Sequence, residues 1–253
     1  MAWLGRFLYL DSAPAPVNAA ALYHRVREKE GRIYTDALLA RLPVLPAGHP
    51  FANEWRARAE SCSRLLRHLD SLKRPLRILE LGCGNGWLAH QLACLDGAQV
   101  WGLDRPGPEL AQARQVFQQP NLHYLSADIF NAPFTIPAFD VIVLASVIQY
   151  FPDLPALLNT LLTLKKPGSQ IHLLDSPLYS EQELIPARQR TLAYYTALGF
   201  PEMAAYYFHH PASALGAFEY RWLYQPDQWI VRLRRRIGQS VSPFPWVAIE
   251  GLS

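Results

Sequence analysis

The chain has 253 residues, enough for one large α/β domain or two small ones. Half of the residues are hydrophobic and 18% are charged, a globular balance that excludes a disordered or low-complexity chain. The net charge of +3, from 24 lysines and arginines against 21 acids, is too mild to imply a nucleic-acid or membrane partner. Cys62, Cys83 and Cys94 lack metal-ligand spacing and read as buried thiols of a reducing compartment, and no metal site is expected. The opening MAWLGRFLYLDSAPAP makes a poor signal peptide, and no apolar run reaches the ~18 residues of a membrane span, so a cytoplasmic location is expected.

Proline-rich stretches at 13–17 and 43–50 read as connectors. Between them Ala19 to Leu42 has a helical pattern interrupted at Gly31, and Asn53 to Leu72 follows as a second helix with Trp55, Ala59, Cys62, Leu65, Leu66 and Leu69 roughly on one face. Residues 1–70 are therefore expected to form a helical extension or lid, and residues 71–253 the main domain. From Arg77 the period changes. Strands are predicted at 77–81, 98–103, 122–126, 140–145 and 170–174, alternating with helices at 87–95, 109–118 and 154–164. That alternation specifies an α/β fold, a doubly wound and mostly parallel sheet whose ligands bind at the carboxyl ends of the strands. Further on, a helix is expected at 181–198, strands at 218–224 and 246–249 and a helix at 227–237, while 201–216 is ambiguous.

The strongest chemical feature is Ile78-Leu-Glu-Leu-Gly-Cys-Gly-Asn-Gly-Trp-Leu-Ala89. Gly82, Gly84 and Gly86 lie between a strand and a helix, where glycine lets backbone approach a ligand closely. A tight structural turn is the plain alternative, and a dinucleotide site is a rival. Two details weigh against the rival. The dinucleotide pattern G-x-G-x-x-G/A needs a small residue where this chain has Trp87. Glu80, two residues before the first glycine, would repel a pyrophosphate and suits a ligand carrying a sulfonium and an ammonium.

The segment Glu80-Leu-Gly-Cys-Gly-Asn-Gly86 resembles the first motif of class I S-adenosylmethionine-dependent methyltransferases, E/D-x-G-x-G-x-G. The resemblance continues in order over about residues 72–176. Asp104 ends the second strand, 22 residues after Gly82, where relatives have the acid that holds the adenosine ribose hydroxyls. Asp128-Ile129 matches the position of the carboxylate that takes the adenine amino group. Phe139-Asp140-Val-Ile-Val-Leu-Ala145 is similar to the family's fourth strand, and Leu164-Lys-Lys-Pro-Gly168 to the turn before its fifth. The resemblance implies a Rossmann-like domain with a seven-stranded sheet. It also implies S-adenosyl-L-methionine bound by Glu80, Gly82, Gly84, Asn85, Gly86, Asp104, Arg105, Asp128, Ile129 and Ala145. Taken singly, Asp104 and Asp128 could equally be caps or loop acids. Asp140 reads as structural and Cys83 as small filler in the turn.

An activated methyl needs an aligned acceptor and sometimes a base, so acceptor-side residues should follow strands four and five. Tyr150 sits where many small-molecule relatives have a histidine, and Asp175 directly follows strand five. His209, in Tyr206-Tyr-Phe-His-His210, is a third candidate base, although neighbouring histidines rarely share a face and a metal site is not expected. A core tyrosine, a turn aspartate and plain packing are the respective alternatives. Arg232, Arg234, Arg235 and Arg236 read as a solvated face, with a phosphate or acidic-substrate contact as the alternative. Tyr23-His-Arg-Val-Arg27 and Trp55-Arg-Ala-Arg58 could fold over the cofactor. An Asn-Pro-Pro-Tyr motif for a base amino group is absent. The expected activity is methylation of an oxygen or nitrogen on a small or medium-sized metabolite. A macromolecular acceptor (RNA or protein) and a non-catalytic cofactor-binding subunit are the alternatives, and nothing in the sequence specifies an oligomeric state.

Overall fold

The computed structural model describes residues 17–132, 134, 137–229, 231, 236 and 241–252. The apolar runs become one sheet with strands β1 (Arg77–Leu81), β2 (Gln99–Asp104), β3 (Leu122–Ser126), β4 (Phe139–Ala145), β5 (Lys165–Leu174), β6 (Phe218–Tyr224) and β7 (Trp246–Leu252). Their order is β3-β2-β1-β4-β5-β7-β6. The first five pair in parallel, and β7 runs antiparallel between β5 and β6. The chain works outward from β1 to β3, then returns to the other side of β1 with β4. The crevice between β1 and β4 is thus the switch point where open α/β sheets bind ligands.

The pleat sorts successive side chains to opposite faces. Ile78, Val141, Val143 and Leu174 join one buried cluster, whereas Leu79, Leu81, Ile142, Leu144, Ile171 and Leu173 join the other. Helices α3 (Ala52–Asp70) and α4 (Trp87–Ala93) cover the first face, and α6 (Leu154–Leu164) the second. α5 (Pro108–Val116) packs beside β3. The exposed Asp153 caps α6: its carboxylate accepts the Ala156 N–H at 2.9 Å.

Residues of the extension enter the same core. Leu65 and Leu69 of α3 are fully buried with Leu88 and Leu92 of α4. Trp55 stands edge-on to Trp87, with ring centroids 5.1 Å apart, and its indole N–H donates to Tyr34 at 2.8 Å. The bulky residue that argued against a dinucleotide is therefore the socket for α3. Among the described residues, no helix is long and apolar enough to cross a membrane.

Several boundaries differ from expectation. The stretch 19–42 divides into α1 (Val17–Lys29) and α2 (Asp36–Leu39), because Gly31 takes a φ of +71° and Thr35 caps the Leu38 N–H. β5 starts at Lys165, not at Gln170, and passes an irregularity between Phe139 and Val141 on its partner. The helix expected from Glu181 begins as a 3-10 turn at Glu181–Glu183, closed by a Ser180/Glu183 capping box, and continues as α7 (Leu184–Leu198). The ambiguous stretch holds two 3-10 turns, Pro201–Tyr206 and Ala212–Leu215, and a single bridge from Tyr179 to Pro211. Arg232, Arg234, Arg235, the connector at 13–16 and most of the 227–237 helix lie outside the described residues.

Candidate active site

β1 hands the chain to a turn that needs glycine. Gly82, Gly84 and Gly86 have φ of +72°, +50° and +78°. A side chain on Gly82 would run into Val147, and one on Gly86 into Ala113 and the Tyr124 hydroxyl. A β-carbon on Gly84 would have only the Glu109 carboxylate for company, 4.0 Å away. The middle glycine therefore faces open space, as a backbone cradle requires. Asn85 is buried, with its amide oxygen 3.4 Å from the Trp87 N–H, and lines a cavity of about 360 Å³ beside α5. Cys83 is buried and its thiol is pushed well up by that burial. It fills the turn.

Asp104 ties the turn to the end of β2. Its carboxylate accepts the Gly84 N–H at 2.6 Å and the Arg105 N–H at 2.7 Å. Burial nevertheless pushes the group up to about 6, against the pull of those two amides. Asp128 caps the next turn through the Phe130 N–H at 3.0 Å and meets the Arg105 guanidinium at 3.0 Å, with Ile129 buried beside it. Glu80 is only 3% exposed. Burial and then the Asp104 charge push its carboxyl up, the Ala89 N–H opposes them, and one oxygen has no partner among the described residues. S-adenosylmethionine fits this set: an open glycine, a carboxylate with spare lone pairs for hydroxyls, and an unpaired acid oxygen below a positively charged ligand.

A larger cavity of about 870 Å³ lies beyond the ends of β4 and β5. The first residues after Ala145 and Leu174 are Ser146 and Asp175, and both hold left-handed φ, +56° and +53°. Such angles are costly for residues with side chains and need outside support. Ser146 Oγ donates to the Asp175 carbonyl at 2.9 Å and accepts from Arg58 at 3.2 Å. One Asp175 carboxylate oxygen, Oδ1, accepts from Ser61 at 2.7 Å and Ser242 at 3.2 Å. The other has no hydrogen bond among the described residues, and Asp175 lines the cavity. Burial pushes this carboxyl up, with the Arg58 charge the first force against it. Tyr23 and Arg27 of α1 and Glu54 and Arg58 of α3 form the far wall.

A family model described as a methyltransferase domain matches residues 72–227, more than half of the chain. The chain belongs to the class I S-adenosylmethionine-dependent methyltransferases. S-adenosylmethionine is the cofactor of that family. The chain is 33% identical over 129 residues to a 2-phytyl-1,4-naphtoquinone methyltransferase of Synechococcus elongatus, covering 44% of this chain and 55% of that one. It is 37% identical over 102 residues to a malonyl-[acyl-carrier protein] O-methyltransferase of Legionella pneumophila, covering 39% and 36%. The methyltransferase thus spans only about a third to just over a half of the length of these curated relatives. Geranyl diphosphate C-methyltransferase from Streptomyces coelicolor A3(2) shares the fold, with a TM-score of 0.57 at 13% identity over 94% of this chain and 98% of that one. So does the YcgJ protein from Bacillus subtilis, with a TM-score of 0.51 at 16% identity over 76% and 96%.

The three acceptor-side candidates fall in different places in the methyltransferase. Asp175 and Tyr150 both line the large cavity. Tyr150 is wedged edge-on between Tyr23 at 5.4 Å and Tyr207 at 6.0 Å, and burial pushes its phenol up while Arg27 opposes this. His209 is buried one layer back, between the Tyr179 and Tyr207 rings, with Nε2 2.9 Å from the Thr191 hydroxyl. It is not part of the cavity lining. His210 turns its Nε2 to the Ile148 carbonyl at 3.0 Å, and the described residues hold no metal-binding group of His, Cys, Asp or Glu. Sequence reasoning missed Ser61 and Ser242, which grip Asp175 from 114 and 67 residues away. It also missed the tyrosines of α7, Tyr194 and Tyr195, whose local sign is an aromatic pair in a helix of mixed composition.

Proposed function

We propose that this chain moves the methyl group of S-adenosylmethionine to an oxygen or nitrogen of a small or medium-sized metabolite bound in the cavity beyond β4 and β5. The observation that carries the reading is that cavity, whose volume of about 870 Å³ falls in the range of small-molecule sites. One relative's name points the same way, since it is a 2-phytyl-1,4-naphtoquinone methyltransferase. A net charge of +3 offers no broad basic surface for RNA.

In this reading Gly82, Gly84, Asn85 and Gly86 cradle the cofactor, Asp104 accepts the ribose hydroxyls, and Asp128 with Ile129 and Arg105 borders the adenine. Glu80 offers a carboxyl oxygen unpartnered among the described residues, and Ala145 borders the site at the end of β4. The cofactor supplies an activated methyl group. The free oxygen of Asp175 takes the acceptor proton, and Ser61 and Ser242 hold that carboxylate in place. Tyr150 forms the wall beside it, and His209 supports the tyrosine layer from behind. The extension, through α1 and α3, closes the site against water.

Calorimetry tests the cofactor claim. The chain should bind S-adenosylmethionine, and Asp104→Ala should weaken binding by about 10- to 100-fold. Asp104 holds its proton up to about pH 6, and the ionised form is the better acceptor of hydroxyls. Affinity should therefore be constant above pH 7 and fall as the pH drops through 6, and Asp104→Asn should flatten that profile. No binding to the unaltered chain would overturn the proposal. A metabolite extract incubated with methyl-labelled cofactor would then separate small from macromolecular acceptors.

A further inference from the structure

The charges that line the large cavity do not cancel. Four guanidiniums, from Arg27, Arg32, Arg58 and Arg190, face three carboxyls, from Glu30, Glu54 and Asp175. The two glutamates are already engaged. Arg32 takes both oxygens of Glu54 at 2.7 Å, and Arg58 reaches the same carboxylate at 3.1 Å. Arg27 and Arg32 share Glu30 at 3.4 and 3.3 Å. Three lining cations therefore share two lining anions before Arg190 is counted, with the Glu109 charge reaching Arg27 from outside the lining. Arg190 is an exposed residue of α7 on the cavity rim, and it has no ion pair or side-chain hydrogen bond among the described residues. The buried Nε of Arg27 has no partner either. Between the cations the wall is aromatic: Tyr150, Tyr179, Tyr195 and Tyr207 all face the cavity.

We propose that the methyl acceptor is an anion: a flat or apolar molecule that carries a carboxylate or phosphate, held by Arg190, with its nucleophilic hydroxyl or amine turned to Asp175. This rests on the reading of the cavity as the acceptor site. A guanidinium fork pairs with such a group through charge-assisted hydrogen bonds, and tyrosine faces suit the body of the ligand. A cationic amine would be repelled by Arg190, and a neutral acceptor would leave that guanidinium without an ion pair.

Fluorescence titration of the full chain with 8-anilinonaphthalene-1-sulfonate, against its sulfonate-free counterpart N-phenyl-1-naphthylamine, tests the proposal without knowledge of the acceptor. The sulfonate should bind about tenfold more tightly. Arg190→Gln should shrink that preference to about threefold or less, and Arg190→Lys should keep most of it. Should Arg190→Gln fail to fold, the same preference should collapse when salt is raised from about 0.05 to about 0.5 M. Displacement by 4-hydroxybenzoate or by phenyl phosphate tells which acid fits. Equal binding of the two dyes, a preference that Arg190→Gln leaves intact, no saturable binding, or displacement by 4-hydroxybenzamide as good as by 4-hydroxybenzoate would each overturn it. Calorimetry with S-adenosylmethionine is a separate readout. A chain that prefers the anion but ignores the cofactor would retain the anion site and lose the methyltransferase reading.

Discussion

Asp175 combines three properties that seldom meet in one residue: a left-handed backbone, a buried carboxyl and an oxygen open to a cavity. Backbone strain of this kind costs about 1–3 kcal/mol and persists only where neighbours enforce it. Ser61, Ser242 and the Ser146 hydroxyl do so here, through bonds of 2.7, 3.2 and 2.9 Å. If its free oxygen takes the acceptor proton, Asp175→Asn should lower kcat by about 10²- to 10⁴-fold with an acceptor found in the extract screen. Cofactor affinity should stay unchanged by calorimetry. Burial raises this carboxyl, so turnover should be lost with falling pH at a higher pH than for an exposed aspartate. Equal kcat in the two proteins would remove Asp175 from the chemistry and leave it a structural residue.

At the scale of elements, α3 decides how far the extension belongs to the fold. Leu65 is fully buried against the α4 side of the sheet, and Trp55 is locked by both Trp87 and Tyr34. Leu65→Ala should therefore cost about 2–5 kcal/mol in a urea titration. A helix merely resting on the domain would lose far less, and a cost under about 1 kcal/mol would place α3 outside the core. The strands and α6 were legible in the sequence because their signals are local. β4 is a continuous apolar run, α6 starts with Asp153 and a proline, and the glycine turn joins β1 to α4 without a gap. The stretch 201–216 was not legible, because its 3-10 turns and its Tyr179–Pro211 bridge answer to tertiary neighbours. The candidate site divides in the same way. Its cofactor side is written in segments that carry their own pattern. The acceptor side assembles Ser61, Asp175 and Ser242, which no spacing connects.

Across the whole molecule, burial is uneven, and the unevenness falls at the cavity. Two large clusters grip both faces of the sheet, whereas α1 is held by a small one of Leu22, Val26, Tyr195 and Met203. Polar ties reinforce it: the Tyr194 hydroxyl donates to Glu30 at 2.6 Å, and the Arg25 guanidinium lies 5.1 Å from the centre of the Phe200 ring. Fully burying an apolar side chain contributes about 1.5–3 kcal/mol, most of it offset by the ordering of the helix. The attachment of α1 should thus be worth less than global unfolding, which is about 5–15 kcal/mol for a domain. α1 also walls the cavity with Tyr23, Val26 and Arg27, so releasing it would open the proposed acceptor site and leave the sheet intact. Gly31, at φ +71° and with open space where a β-carbon would sit, joins α1 to the rest of the chain. Hydrogen exchange should show amides of 20–29 opening well before those of β1 and β4. They should then gain protection when S-adenosylhomocysteine and an anionic cavity ligand are bound together. If those amides exchange only with the sheet, or the ligands leave them unchanged, α1 is a fixed wall and entry must lie elsewhere.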